Sequence, residues 1–416
     1  MKKKINFFFE KISLILIIFL PIALLVGGGV STAFEITITI FFLIISINNK
    51  DFTWIFNKYF ILLLILWSSL IINIFFSQDS SLSFTRNFFF FKNIIFIFAL
   101  IYFFNKKENL DLIFSVYLII LLVVSFDIIF EFTNKKNIFG FSSTDPTRIA
   151  SFLKNELKIA HFMLGFLFIT IGYFLENKTQ ENKVKKFIIY LLFAFFFISI
   201  LLTGERANSL KGIFILLMFI IFLRYQIIKF KKITVFFFLI LTMALYSQSI
   251  NIKHRFDIYF NSIKKNNIME AFKETQHGAH YYTAIKIFNA YPITGVGNKN
   301  FRNECSKIEY ENFDYKKTKE RCSTHPHQVY LEFLSEHGLL GTIIIISVIF
   351  YILFESIKIY SKNKNSIHLA SILFIISQLL PIIPSGSFFT NWNATIFWFN
   401  FSILVFFNNK NFKKAI

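Results

Sequence analysis

The stretch Cys322-Ser323-Thr324-His325-Pro326-His327-Gln328-Val329-Tyr330-Leu331-Glu332-Phe333-Leu334-Ser335-Glu336-His337-Gly338-Leu339-Leu340-Gly341 sets three histidines and two carboxylates at the mouth of a long apolar run. The run continues to Phe354, long enough for a bilayer crossing, which takes roughly 20 mostly apolar residues. Ser323 or Thr324 can cap a helix there, and Pro326 suits its first turn. His327, Leu331 and Leu334 then recur at i, i+4 and i+7, one helical face. His327 is therefore expected in the first turn, at the positive end of the helix dipole. That end keeps an imidazole neutral, as a general base must be, and it also attracts phosphate oxygens.

Working outward, the 416 residues are 55% hydrophobic and 16% charged, where a soluble domain carries about 25% charged. The chain is read as an all-α polytopic membrane protein with about 12 transmembrane helices and one large external loop containing short helices. Spans are expected near 12–27, 31–47, 59–76, 88–104, 110–131, 151–175, 187–202, 207–223, 232–248, 329–354, 366–383 and 391–408. The first, after Met1-Lys2-Lys3-Lys4, lacks a small-residue cleavage site and is read as a retained span. The 62 phenylalanines accompany an excess of Ile, Asn and Lys, a codon-usage signature that says little about function.

A net charge of +20 invites a nucleic-acid reading, but most Lys and Arg sit in short loops between apolar runs. With the N-terminus cytoplasmic, 22 of them fall in cytoplasmic segments and 5 in the short segments opposite. That asymmetry sets orientation with both termini cytoplasmic, and makes membrane lipids rather than nucleic acid the partner. The organisation expected is a bundle over 1–248, a periplasmic loop over 249–328, and three last helices over 329–416. Cys305 and Cys322, the two cysteines, both fall in that loop. In an oxidising compartment a disulfide between them would stabilise the loop by about 3 kcal/mol. Zinc is the sharper alternative, with His325 and His327 close by. No Cys-x-x-Cys or His-x-x-x-His pair supports it, so no metal is expected.

Two further elements carry chemistry. Arg206 lies in Thr203-Gly204-Glu205-Arg206-Ala207-Asn208 between apolar runs, and a guanidinium near membrane depth is costly unless functional or paired, here with Glu205. Lys211 can snorkel to the same surface. Tyr291-Pro292-Ile293-Thr294-Gly295-Val296-Gly297-Asn298-Lys299-Asn300-Phe301-Arg302 offers turns at Gly295 and Gly297 whose N–H groups suit an anion, or simply turn the chain. Upstream, Tyr281, Ile285 and Phe288 fall on one face, as in a helix lying on the bilayer surface or packing within the loop.

The ordered set Thr203-Gly204-Glu205-Arg206, Pro292-Ile293-Thr294-Gly295-Val296-Gly297, His327-Gln328-Val329-Tyr330-Leu331-Glu332 and Glu336-His337-Gly338-Leu339-Leu340-Gly341 resembles the O-antigen ligase and polymerase superfamily of bacterial membrane glycosyltransferases. The resemblance implies a metal-independent, cofactor-free inner-membrane enzyme acting at the periplasmic face. Its donor would be an undecaprenyl diphosphate-linked glycan and its acceptor a hydroxyl on lipid A-core or another molecule. It makes Arg206 the diphosphate contact and His327 the base. The second arginine of the family pattern is missing where this chain reads Gln276-His277-Gly278-Ala279-His280-Tyr281. His277, His280, Arg255 or Arg302 would have to replace it, with His325 a neighbour of the base. The motif asparagine is Gln328. Ligation to lipid A-core, repeat-unit polymerisation and O-linked protein glycosylation all remain compatible, the single long loop leaning towards ligase. A lipid or polysaccharide transporter is the reading from another class. Asp127, Glu156 and His161 are the ionisable groups nearest mid-span, and the two halves show no match of the kind transporters carry.

Overall fold

A computed structural model describes residues 2–177, 183–223 and 267–409, with isolated positions 257, 261, 264 and 265. The expected span 232–248 and the candidate Arg255 lie outside them. Among the described residues the protein is helical without strands. The order is α1 (Lys2–Ile18), α2 (Leu20–Val26), α3 (Gly28–Asn49), α4 (Lys58–Phe75), α5 (Ser80–Phe89), α6 (Phe91–Phe104), α7 (Lys107–Asn134), α8 (Ile159–Asn177), α9 (Lys183–Leu202) and α10 (Arg206–Phe222). After the loop's α11 (Ile268–Lys273), α12 (Gln276–Ala290) and α13 (Phe301–Glu304) come α14 (Val329–Asn363), α15 (Ser366–Gln378) and α16 (Asn391–Asn408).

Six described helical segments are long and apolar enough to cross a membrane, and a seventh if α1 and α2, bent by 55°, count as one. The protein is thus a multi-pass helical membrane protein. The expected crossings over 187–202 and 366–383 correspond to the shorter apolar helices of α9 and α15. The expected crossing from 151 begins later, because Ser151–Leu153 is a separate 3-10 turn and α8 starts at Ile159.

The core lies where α8 meets α15 and α16. Phe162, Phe166 and Phe168 of α8 and Phe397, Trp398, Phe399 and Phe401 of α16 are buried. Gly172 lets α8 approach α15 so closely that a β-carbon there would stand 2.7 Å from the Ser366 carbonyl oxygen. Outer helices bury one stripe and expose another, as Ile61, Ile65 and Ile72 on α4 and Leu339, Ile343, Phe350 and Phe354 on α14 do. Rows of exposed apolar side chains mean that lipid is their solvent.

The glycine-rich segment locks onto α14 at its kink. Gly338 breaks the helix with φ +61, and Leu339 and Leu340 donate back to the Pro292 and Ile293 carbonyls. Val296 and Gly297 donate in turn to Ser335 and Glu336. At Gly295 (φ +67) a β-carbon would fall 2.5 Å from the Glu336–Gly338 backbone, which cannot give way. Gly295→Ala is therefore expected to destabilise the protein by about 4 kcal/mol, read as a lowered unfolding temperature in detergent.

Candidate active site

Local chemistry places His327 differently from the capping expectation. Helix α14 starts at Val329, and its cap is Gln328, whose side-chain carbonyl accepts from the Leu331 N–H. Ser323 and Thr324 do not cap it, and Pro326 lies outside its first turn. His327 precedes the cap in the left-handed conformation, φ +60. Its carbonyl accepts from the Ser385 N–H at 2.8 Å, so backbone rather than helix position holds it. The serine and threonine are employed elsewhere: Ser323 Oγ meets His327 Nε2 at 3.0 Å, and Thr324 Oγ1 meets His325 Nδ1 at 2.9 Å.

Around His327 the loop gathers the other expected histidines. The His325 ring lies 4.1 Å from it, His280 5.2 Å and nearly parallel, and His277 5.6 Å. His277 and His280 share a face of α12, which Thr275 caps through its side chain. His280 Nε2 reaches the Glu320 carbonyl at 3.0 Å, and its Nδ1 is buried without a protein partner. The buried stripe of α12 is Tyr281, Ala284 and Ile287, whereas Ile285 is exposed, so the expected face through Ile285 and Phe288 is rotated. Tyr281 donates to the Ile382 carbonyl and ties α12 to the loop before α16.

Burial drives the electrostatics. Desolvation, then the neighbouring His325, His277 and His280, pulls His327 down to about 2. Desolvation likewise takes His277 and His325 to about 4 and lowers His280. All four imidazoles are neutral at physiological pH. The unfolded chain protonates histidines near pH 6.5 and so binds more protons than the folded protein below that value. Stability is therefore expected to fall as pH drops from about 6.5 towards about 4, with no contribution from these groups above. Thermal unfolding at pH 7.5 and 5 checks this, and His277→Gln should flatten the dependence.

Arg206 opens α10, after a buried turn in which Gly204 (φ +70) passes the Thr147 carbonyl. Buried Glu205 accepts from the Ala160 N–H at 2.8 Å and from Asn208 at 2.6 Å, fixing that turn. Arg206 acts electrostatically on His277, whose ring lies 5.6 Å from that of His327. Lys211 lies deeper, 2% exposed, with Nζ 3.4 Å from Gln378 Oε1. Gln378 lines a cleft with His161, Ser385, Gly386, Ser387 and Asn393, which runs beneath the backbone bonded to His327. Sequence reading overlooked this 385–393 segment because serine and asparagine there read as ordinary turn residues. Glu332 was likewise unassigned; its carboxylate accepts from Ser387 and from the Phe388 N–H at 2.9 Å, holding that segment against α14.

Not every expected contact is available. The N–H groups of Gly295 and Gly297 are spent on the Tyr291 and Glu336 carbonyls, so this segment is a packing clamp and not an anion cradle. Arg302 lies with its Nη2 3.5 Å from the Thr324 carbonyl and acts on His325. Cys305 and Cys322 are bonded, with Cα atoms 5.3 Å apart, and the bridge anchors the segment carrying His325. Among the described residues no set of three or more His, Cys, Asp or Glu is placed to hold a metal ion.

Among curated proteins none matches the chain. Residues 191–346, from α9 through the loop to the first turns of α14, match the family model described as O-antigen ligase. That stretch contains Arg206, the histidine group and the Gly338 kink. Over that stretch, somewhat over a third of its length, the chain is similar to the O-antigen ligase family, which supports the O-antigen ligase superfamily and glycosyl transfer of ligase or polymerase type.

Proposed function

We propose that the protein moves a glycan from undecaprenyl diphosphate to a hydroxyl of lipid A-core, at the periplasmic face of a bacterial inner membrane, with both termini cytoplasmic. In this reading the bundle over 1–248, the loop over 249–328 and the last helices over 329–416 enclose one site. The observation that carries it is the grouping of His327, His277 and Arg206, with His277 in ring contact with the first and in the field of the second. Neutral His327 takes the proton as the acceptor oxygen bonds to the anomeric carbon. The bond from that carbon to the diphosphate oxygen breaks, and Arg206, always ionised and bidentate, takes up the developing charge. His277 and His280 flank the reacting sugar, and Lys211 reaches the lipid-proximal end of the donor. No metal or cofactor is invoked.

Gel analysis of lipopolysaccharide from a deletion strain tests it. Loss of every O-antigen-capped species is expected. A single repeat left on the core would instead mean polymerase, and an unchanged ladder would point to a different acceptor such as protein.

A further inference from the structure

The four imidazoles gathered at His327 are bonded unequally. Three of them keep a buried ring nitrogen with no partner among the described residues: His277 Nδ1, His280 Nδ1 and His325 Nε2. Their rings lie 5.6, 5.2 and 4.1 Å from that of His327. Buried polar atoms left unbonded are costly, so three at one place call for a ligand or ordered water. His280 is the one whose tautomer the fold fixes. Its Nε2 lies 3.0 Å from the Glu320 carbonyl oxygen, which can only accept, so Nε2 carries the proton. That carbonyl is itself held in place. The next residue, Arg321, donates to the carbonyls of Cys305, Ser306, Lys307 and Thr318, and Cys322 is bridged to Cys305. In the neutral ring Nδ1 is then a bare lone pair, on a residue only 1% exposed. His325 is less constrained, because the Thr324 hydroxyl at its Nδ1 can donate or accept.

A bare lone pair suits an O–H donor and disfavours the oxygens of an anion. This sets His280 apart from the arginine that the resembled family pattern carries in this neighbourhood. A guanidinium there would donate, whereas the single N–H of His280 is spent on Glu320. The rings of His280 and His327 are tilted by only 21°, with centroids 5.2 Å apart. The Nδ1 lone pair lies in its own ring plane and so runs nearly parallel to the plane of the base. A hydroxyl bonded to Nδ1 would sit in the layer next to His327, where a reacting sugar belongs. Metal ions also take lone pairs, but among the described residues no set of three or more His, Cys, Asp or Glu is placed to hold one.

We propose that His280 is a specificity-determining residue whose Nδ1 accepts a hydrogen bond from a hydroxyl of the transferred glycan or of the acceptor sugar. This rests on the glycosyl-transfer reading above and adds to it how the sugar is recognised, by a neutral hydroxyl contact separate from the diphosphate. A sugar lacking that hydroxyl would leave the lone pair buried and unpaired, the situation from which sharp rejection arises.

Two amide variants separate the two ring nitrogens. The side chain of His280→Gln reaches the position of Nε2 and can still donate to Glu320, with no acceptor at the position of Nδ1. That of His280→Asn stops at the position of Nδ1, where its oxygen can accept, and loses the bond to Glu320. The full chain in lipid nanodiscs is titrated with an undecaprenyl diphosphate-linked O-antigen and, separately, with lipid A-core. His280→Gln is expected to weaken binding of at least one lipid by about tenfold or more, with the unfolding temperature unchanged. His280→Asn should bind both nearly as the wild type does and unfold at a lower temperature. The lipid affected tells whether the hydroxyl belongs to donor or acceptor. A purely structural role reverses this order, so impairment of His280→Asn alone, or equal losses in both variants, would overturn the assignment. Wild-type affinity of His280→Gln for both lipids would do the same, since water alone would then meet Nδ1, as would a wild type that binds neither. Absence of glycan transfer by a wild type with the expected binding pattern counts against the transfer reading and upholds the contact.

Discussion

His327→Ala is expected to lower kcat/KM for glycan transfer by about a hundred- to ten-thousandfold, the range that one positioned general base contributes. The protein should still fold. The residue's carbonyl accepts from Ser385, and its ring lies among other rings rather than filling the hydrophobic core. The left-handed backbone at φ +60 complicates an alanine, since histidine and asparagine are enriched in that conformation and alanine is not. His327→Asn is the cleaner variant, because asparagine tolerates that conformation and cannot act as the base. Both should express in membranes at wild-type levels and lose activity together. Retained transfer by the asparagine variant would assign the proton to another group.

Arg206→Ala is expected to cost about a thousandfold in kcat, the scale of removing one preorganised donor to a developing oxyanion. Arg206 stands at the first position of α10, where the helix dipole already favours an anion. Arg206→Lys should recover little, because an ammonium lacks the bidentate fork. Single-turnover measurements on a preformed donor complex check that the loss lies in the chemical step, and a loss confined to donor KM would contradict the assignment.

Much of this architecture is legible in the sequence because its physics is local. Apolar run length marks α3, α4, α7 and the start of α14, and the break at Thr203-Gly204-Glu205-Arg206 separates α9 from α10 as the charges suggest. The residue types of the site are legible too, since histidines and an arginine stand out in so apolar a chain. What is not legible depends on tertiary partners. Gln328 caps α14 in preference to Ser323 because those hydroxyls face histidine rings that only the folded loop supplies. Gly295 and Gly297 read as turns, and their true partner, the Gly338 kink, lies about 40 residues away. Arg86 is the clearest case. It reads as one loop cation, and only the fold brings it to Asn391, 305 positions distant, and into the field of Arg302.

The most direct measurement is transfer in a purified system. The protein, an undecaprenyl diphosphate-linked O-antigen and lipid A-core are combined in detergent or nanodiscs without any ion gradient. The account predicts glycan on lipid A-core and release of undecaprenyl diphosphate, abolished by His327→Asn. Failure of transfer with active protein and both lipids present, or transfer undiminished in that variant, would contradict it.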